Sequence, residues 1–100
     1  MTAMSTATGT FGLTDYVRTI ESVLERRPAN RVIIREVSAA TKQLCASDRW
    51  LEDRFRVGNP DYYTRHLLHR DAHNRFVVLA LVWMPGQMTP IHDHACWGVM

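Results

Sequence analysis

The run Phe76-Val77-Val78-Leu79-Ala80-Leu81-Val82-Trp83-Met84 constrains this chain more than any other stretch. It carries no charge, it is rich in β-branched and aromatic residues, and Pro85-Gly86 stops it. Those are the properties of a β-strand. Side chains of a strand alternate between two faces. Both faces are apolar here, so a strand over 76–84 calls for cover on both sides. The run is about half as long as a helix that spans a bilayer, so it does not point to a membrane.

Helical spacing governs the part of the chain ahead of it. Leu13, Tyr16, Val17, Ile20 and Leu24 recur on one face, Thr14-Asp15 supplies a cap and a first-turn carboxylate, and Arg26-Arg27-Pro28 closes the element. The spacing predicts a helix over 14–27. Ile33, Val37, Ala40 and Leu44 predict a second, capped by Asn30 and running to about Ala46. Trp50-Leu51 reads as an anchor, and Gly58-Asn59-Pro60-Asp61 as a turn. Tyr62-Tyr63-Thr64 is strand-like, and His69 to Asn74 is a polar, hairpin-like connection into the apolar strand.

At 100 residues the chain has room for one small domain. A formal charge of +2, spread among both signs, predicts neither a nucleic-acid nor a membrane partner. Cys45 and Cys96 make no disulfide framework and no Cys-x-x-Cys pair, which suits a reduced, cytoplasmic setting. Residues 1–12 have neither the basic nor the apolar part of a secretory signal and read as a flexible tail.

Chemistry concentrates in Gly86-Gln87-Met88-Thr89-Pro90-Ile91-His92-Asp93-His94. On a strand beginning near Thr89, His92 and His94 share one face and Asp93 points away. Two neutral imidazoles one residue apart can both reach one divalent cation. The same spacing also fits a pair of solvated histidines.

A glycine, five residues and His-x-His resemble the opening of the first motif of the cupin superfamily. In that pattern a glutamate follows the second histidine after a gap of three or four residues, but Gly98 and Val99 occupy those places here. Its loss within Pro-Ile-His-Asp-His-x-x-Trp-Gly resembles the thiol dioxygenases, the cysteine dioxygenase family. The resemblance takes in Trp83-Met84-Pro85-Gly86, Tyr63-Thr64-Arg65 with Leu67-Leu68, and Trp50-Leu51.

The resemblance implies a fold that is mostly β with N-terminal α-helices: a cupin, double-stranded β-helix or jelly-roll barrel. Residues 13–100 would be the helices and first strands of one such domain, truncated at its C-terminal end. It also implies Fe(II) held by three histidines, with His92 and His94 as the first two. The third would lie on a later strand, since His66, His69 and His73 do not match it and read as solvated. The 100 residues are therefore expected to be inactive alone, and to lack strand partners for a stable fold.

The implied reaction oxidises the thiol of a small mercapto acid with O2 to the sulfinic acid. Arg65 matches the arginine that grips the substrate carboxylate, and Tyr63 lines the same pocket or packs on a strand. Relatives that prefer 3-mercaptopropionate carry glutamine at the Arg65 position, which favours L-cysteine. The alternatives are 3-mercaptopropionate or mercaptosuccinate as substrate, and a non-catalytic metal-binding cupin module. The cysteine that cross-links to a tyrosine in animal enzymes corresponds to Gly98, so no cross-link is expected. Cys96 and Cys45 then read as packed residues, Trp83 and Trp97 as core, and Asp93 as an outer hydrogen-bonding partner of the site.

Overall fold

The computed structural model describes residues 11–90, 94 and 96–100. They form two compact units: one holds the residues up to Trp50 together with those from His94 on, the other begins at Leu51.

The first unit is a helical hairpin. Helix α1 spans Leu13–Glu25 and helix α2 spans Asn30–Leu44. The Asp15 carboxylate accepts the Gly12 backbone N–H at 2.9 Å, satisfying an N–H at the start of α1. Gly12, rather than Thr14, is the cap. Arg27 adopts a left-handed φ of 51° ahead of Pro28, so α1 ends two residues earlier than its arginines suggest. Ala29 caps α2 in extended backbone and Asn30 is its first residue, which corrects Asn30 as cap.

Tyr16, near the start of α1, shares a 2.6 Å hydrogen bond with Thr41, near the end of α2, so the helices run antiparallel. Tyr16, Val17, Ile20 and Val23 are buried with Ile33, Val37, Ala40 and Leu44. The Trp50 indole N–H donates to the carbonyls of Leu44 (3.0 Å) and Ser47 (2.7 Å). The expected anchor therefore closes the C-terminal end of α2, where carbonyls otherwise lack partners.

The second unit is a β-hairpin preceded by a short 3-10 helix, Asp53–Arg56. Strand β1 is Thr64–Arg70 and β2 is Val77–Val82, antiparallel to it. Sequence placed the first strand near Tyr62–Thr64 and the connection at His69–Asn74; His69 and Arg70 are strand residues, and the turn runs from Asp71 to Phe76. Arg75 fastens that turn. Its backbone N–H, Nε and NH2 donate to the Asp71 carboxylate at 3.0, 2.8 and 3.1 Å. Asp71 is 1% exposed. The Arg75 hydrogen bonds hold its carboxyl far below the usual carboxylate range, although burial alone would raise it.

The barrel expectation is overturned. The described residues hold two helices of 13 and 15 residues and one open sheet of two strands of 7 and 6 residues. A closed barrel needs every strand paired on both sides, and β2 pairs only with β1 among the described residues. Two-sided cover of β2 fails too. Its residues alternate between exposed and half-buried, so only one face is covered. Thr89 and Pro90 are not in a strand; the rest of the expected last strand, through His92 and Asp93, lies outside the described residues.

Candidate functional site

The pleat of the hairpin decides which side chains meet. Thr64 pairs with Val82, Arg65 with Leu81, and Leu67 with Leu79. Alternation therefore puts Tyr63, Arg65 and Leu67 on the same face as Leu79, Leu81 and Trp83. Tyr63 lies flat on Trp83, with ring centroids 4.4 Å apart and planes 9° apart. Trp83 is 45% exposed, so it is the wall of an open surface and not the core residue expected. Tyr62, Tyr63, Thr64 and Arg65 line an open depression of about 410 Å³. The two expected substrate-binding residues are brought together.

The charge state of this surface follows from the other arginines of the unit. Arg54 pairs with Glu52 at 3.1 Å, Arg56 with Asp53 at 3.5 Å, and Arg75 with Asp71 at 2.8 Å. Arg65 makes no hydrogen bond or ion pair among the described residues, and Arg70 likewise makes none. Of these two, Arg65 lines the depression. A guanidinium without a partner among the described residues, set beside aromatic rings, can offer two parallel N–H groups to a carboxylate.

A second depression, of about 380 Å³, shares Tyr62 and Tyr63 and is closed by Pro85, Gly86, Gln87 and Met88. Its frame is a tight turn. The Gln87 N–H donates to the Met84 carbonyl at 3.0 Å, with Pro85 and Gly86 between them and Gly86 at φ 86°. That is the type II arrangement, which puts proline at the second position and needs positive φ at the third. The Gln87 side chain accepts the Met84 N–H at 2.8 Å and donates to the Asn59 carbonyl. Gln87 thus ties the turn after β2 to the loop before β1. Sequence reasoning missed this role, and only its place after Pro-Gly hinted at it; nothing local shows a partner 28 residues away.

The histidines divide. His92 and Asp93 lie outside the described residues, and His94 is exposed in irregular backbone. His66 is half-buried, not solvated: its Nε2–H donates to the Val57 carbonyl at 2.8 Å, and its ring meets Phe55 edge-on. His69 is half-buried against Phe76, with Nε2 shielded and unbonded among the described residues. His73 is exposed, as expected. Cys45 and Cys96 are exposed free thiols, which corrects the reading of both as packed. Trp97 is half-buried.

No family model matches the chain. Among the described residues no helix is long and apolar enough to cross a membrane. No three His, Cys, Asp or Glu side chains among those residues are grouped to hold a metal ion.

Proposed function

We propose that this chain belongs to an iron-dependent thiol dioxygenase, similar to the cysteine dioxygenase family, acting in the cytoplasm on L-cysteine. The observation that carries the reading is Arg65. It is a guanidinium without a partner among the described residues, lining one depression with Tyr63 on a surface walled by Trp83. That supports a ligand bearing a carboxylate on a small body. His-x-His supports the metal half of the reading, because imidazole is a borderline donor suited to divalent iron. His92 and His94 fit such an ion in donor type and supply two of the three imidazoles the reading requires.

Ferrous iron, when bound, supplies the activation of O2 and of the thiol. The chain's own residues select and hold the substrate. Arg65 takes the carboxylate in a bidentate grip, which fixes where the thiol end of a three-carbon acid can reach. Tyr63, held flat by Trp83, presents one rigid wall to the substrate. Gln87 holds the loop carrying Tyr62 and Tyr63 against the Pro85-Gly86 turn that leads toward the histidines. Arg65 positions the carboxylate and moves no electrons.

The test is iron loading of the complete protein to which this chain belongs, followed by oxygen uptake with L-cysteine, 3-mercaptopropionate and mercaptosuccinate, with the sulfinic acid identified by mass. Cysteine should be consumed fastest, and His92→Ala and His94→Ala should each lose iron. Faster turnover of 3-mercaptopropionate would replace cysteine as the substrate. A protein that takes up iron and stays inert with all three thiols would be a metal-binding module without this activity.

A further inference from the structure

The two depressions of the second unit adjoin, and they carry opposite charges. Arg65 lines the first together with Tyr62 and Tyr63. Asp61 lines the second, with the same two tyrosines and the turn from Pro85 to Met88. The tyrosines are therefore a shared wall, with a guanidinium lining one side and a carboxylate lining the other. Asp61 and Arg65 are four residues apart, which keeps their Cα atoms within about 14 Å. No ion pair joins the two, so their charges do not cancel against each other.

Asp61 is held by its backbone. Its N–H donates to Asn59 Oδ1 at 2.8 Å, the turn that an asparagine side chain makes with the residue two ahead. The Asn59 carbonyl in turn accepts the Gln87 side-chain N–H, so the loop that carries Asp61 is tied to the turn closing the second depression. The Asp61 side chain is exposed, and Tyr62 beside it is 63% exposed. An ammonium group placed there is attracted twice, by the carboxylate charge and by the face of a tyrosine ring.

We propose that Asp61, with the rings of Tyr62 and Tyr63, takes the ammonium group of the ligand whose carboxylate Arg65 holds, so that this surface selects an α-amino acid over a plain mercapto acid. The proposal rests on the reading of Arg65 as the carboxylate clamp. Opposite charges on either side of one aromatic wall match a small zwitterion, whose carboxylate and ammonium lie on one carbon. L-cysteine has that pattern. 3-Mercaptopropionate lacks the ammonium and leaves Asp61 without a counter-charge. Mercaptosuccinate brings a second carboxylate, which Asp61 repels. Rejection of the wrong charge is thus built into the same surface that accepts the right one.

The experiment uses the complete protein to which this chain belongs, free of iron and oxygen, and reads the binding of L-cysteine, 3-mercaptopropionate and cysteamine by titration calorimetry. The parent should bind L-cysteine roughly threefold or more tightly than 3-mercaptopropionate, the effect of one exposed charge pair and one ring contact. Asp61→Asn keeps the side chain's size and the backbone N–H that Asn59 accepts. It should lower the affinity for cysteine to that for 3-mercaptopropionate and leave the latter no weaker. Asp61→Lys should reverse the order of the two acids. Arg65→Gln should weaken both acids and leave cysteamine unchanged. If Arg65→Gln acts so while the ratio of the two acids is the same in the parent, Asp61→Asn and Asp61→Lys, the Asp61 proposal is overturned and the carboxylate reading stands. If Arg65→Gln weakens neither acid, the carboxylate reading falls and the proposal falls with it.

Discussion

Replacing Arg65 by glutamine tests the binding surface without depending on turnover. Arg65 is exposed and, among the described residues, makes no hydrogen bond or ion pair, so nothing in the fold rests on its charge. The stability of Arg65→Gln should stay within about 0.5 kcal/mol of the parent. A charge-assisted hydrogen bond contributes about 1.5–3 kcal/mol, and the low end applies because the depression is open to water. The variant should thus bind cysteine about tenfold more weakly, since about 1.4 kcal/mol is one decade. The assay is a 1H–15N NMR titration that follows the amides of Tyr62 to Arg65 with L-cysteine, and in parallel with cysteamine, which lacks the carboxylate. The parent should bind cysteamine about as weakly as the variant binds cysteine, and the variant should bind both alike. Equal affinities of parent and variant for cysteine, or a parent indifferent to the carboxylate, would refute the reasoning.

Three further outcomes test the scaffold. Val37, 1% exposed between the helices, loses two carbons in Val37→Ala. The cost should be about 2–3 kcal/mol from transfer plus cavity, read by urea unfolding of the helical signal; the 41% exposed Ile34→Ala should cost under about 1 kcal/mol. Gly86 holds φ at 86°, so Gly86→Ala should destabilise the turn by about 1 kcal/mol although its Cβ meets nothing, and an unchanged urea midpoint would deny the turn type. The hydrogen bonds from Arg75 depress the Asp71 carboxyl in the folded state, so its contribution is complete above its unfolded value near 4 and fades as pH falls toward the folded one. The protection of amides in the 71–76 turn, measured relative to their intrinsic exchange at each pH, should fall on acidification in the parent, and Asp71→Asn should show low protection at every pH.

The helices were legible because their signal is local and complete. Ile33, Val37, Ala40 and Leu44 recur at three- and four-residue spacing, and all four are buried. In α1 the expected stripe ends on Leu24, which is half-buried, while Val23, three residues past Ile20 on the same face, is the buried residue. Strand β1 was obscured for two reasons. Thr-Arg-His-Leu-Leu-His-Arg mixes polar and apolar residues, and the register shift at Leu67/His69 breaks the period of two that would have marked it. The β2 run is legible as a strand, but its apolar content implies cover on both faces and only one is covered. Content cannot separate a strand buried on both faces from one with an open face.

The site was legible only in part, and the reason is physical. Arg65 and Tyr63 came from a resemblance between short motifs, and two-residue alternation was enough to put both on one face once β1 existed. No alternation rule reaches from there to Trp83, whose stacking on Tyr63 depends on the hairpin's pairing, nor to Gln87, whose carboxamide joins two loops. The barrel was inferred from the same motifs and did not follow, because a motif of nine residues constrains its own turn and strand and says nothing about how many strands pair beside it. Function and fold therefore rest on separable grounds in this chain. An arginine without an ionic partner among the described residues and two tyrosines beside it argue for carboxylate binding whatever sheet carries them, and the Arg65→Gln titration addresses that argument without assuming a barrel.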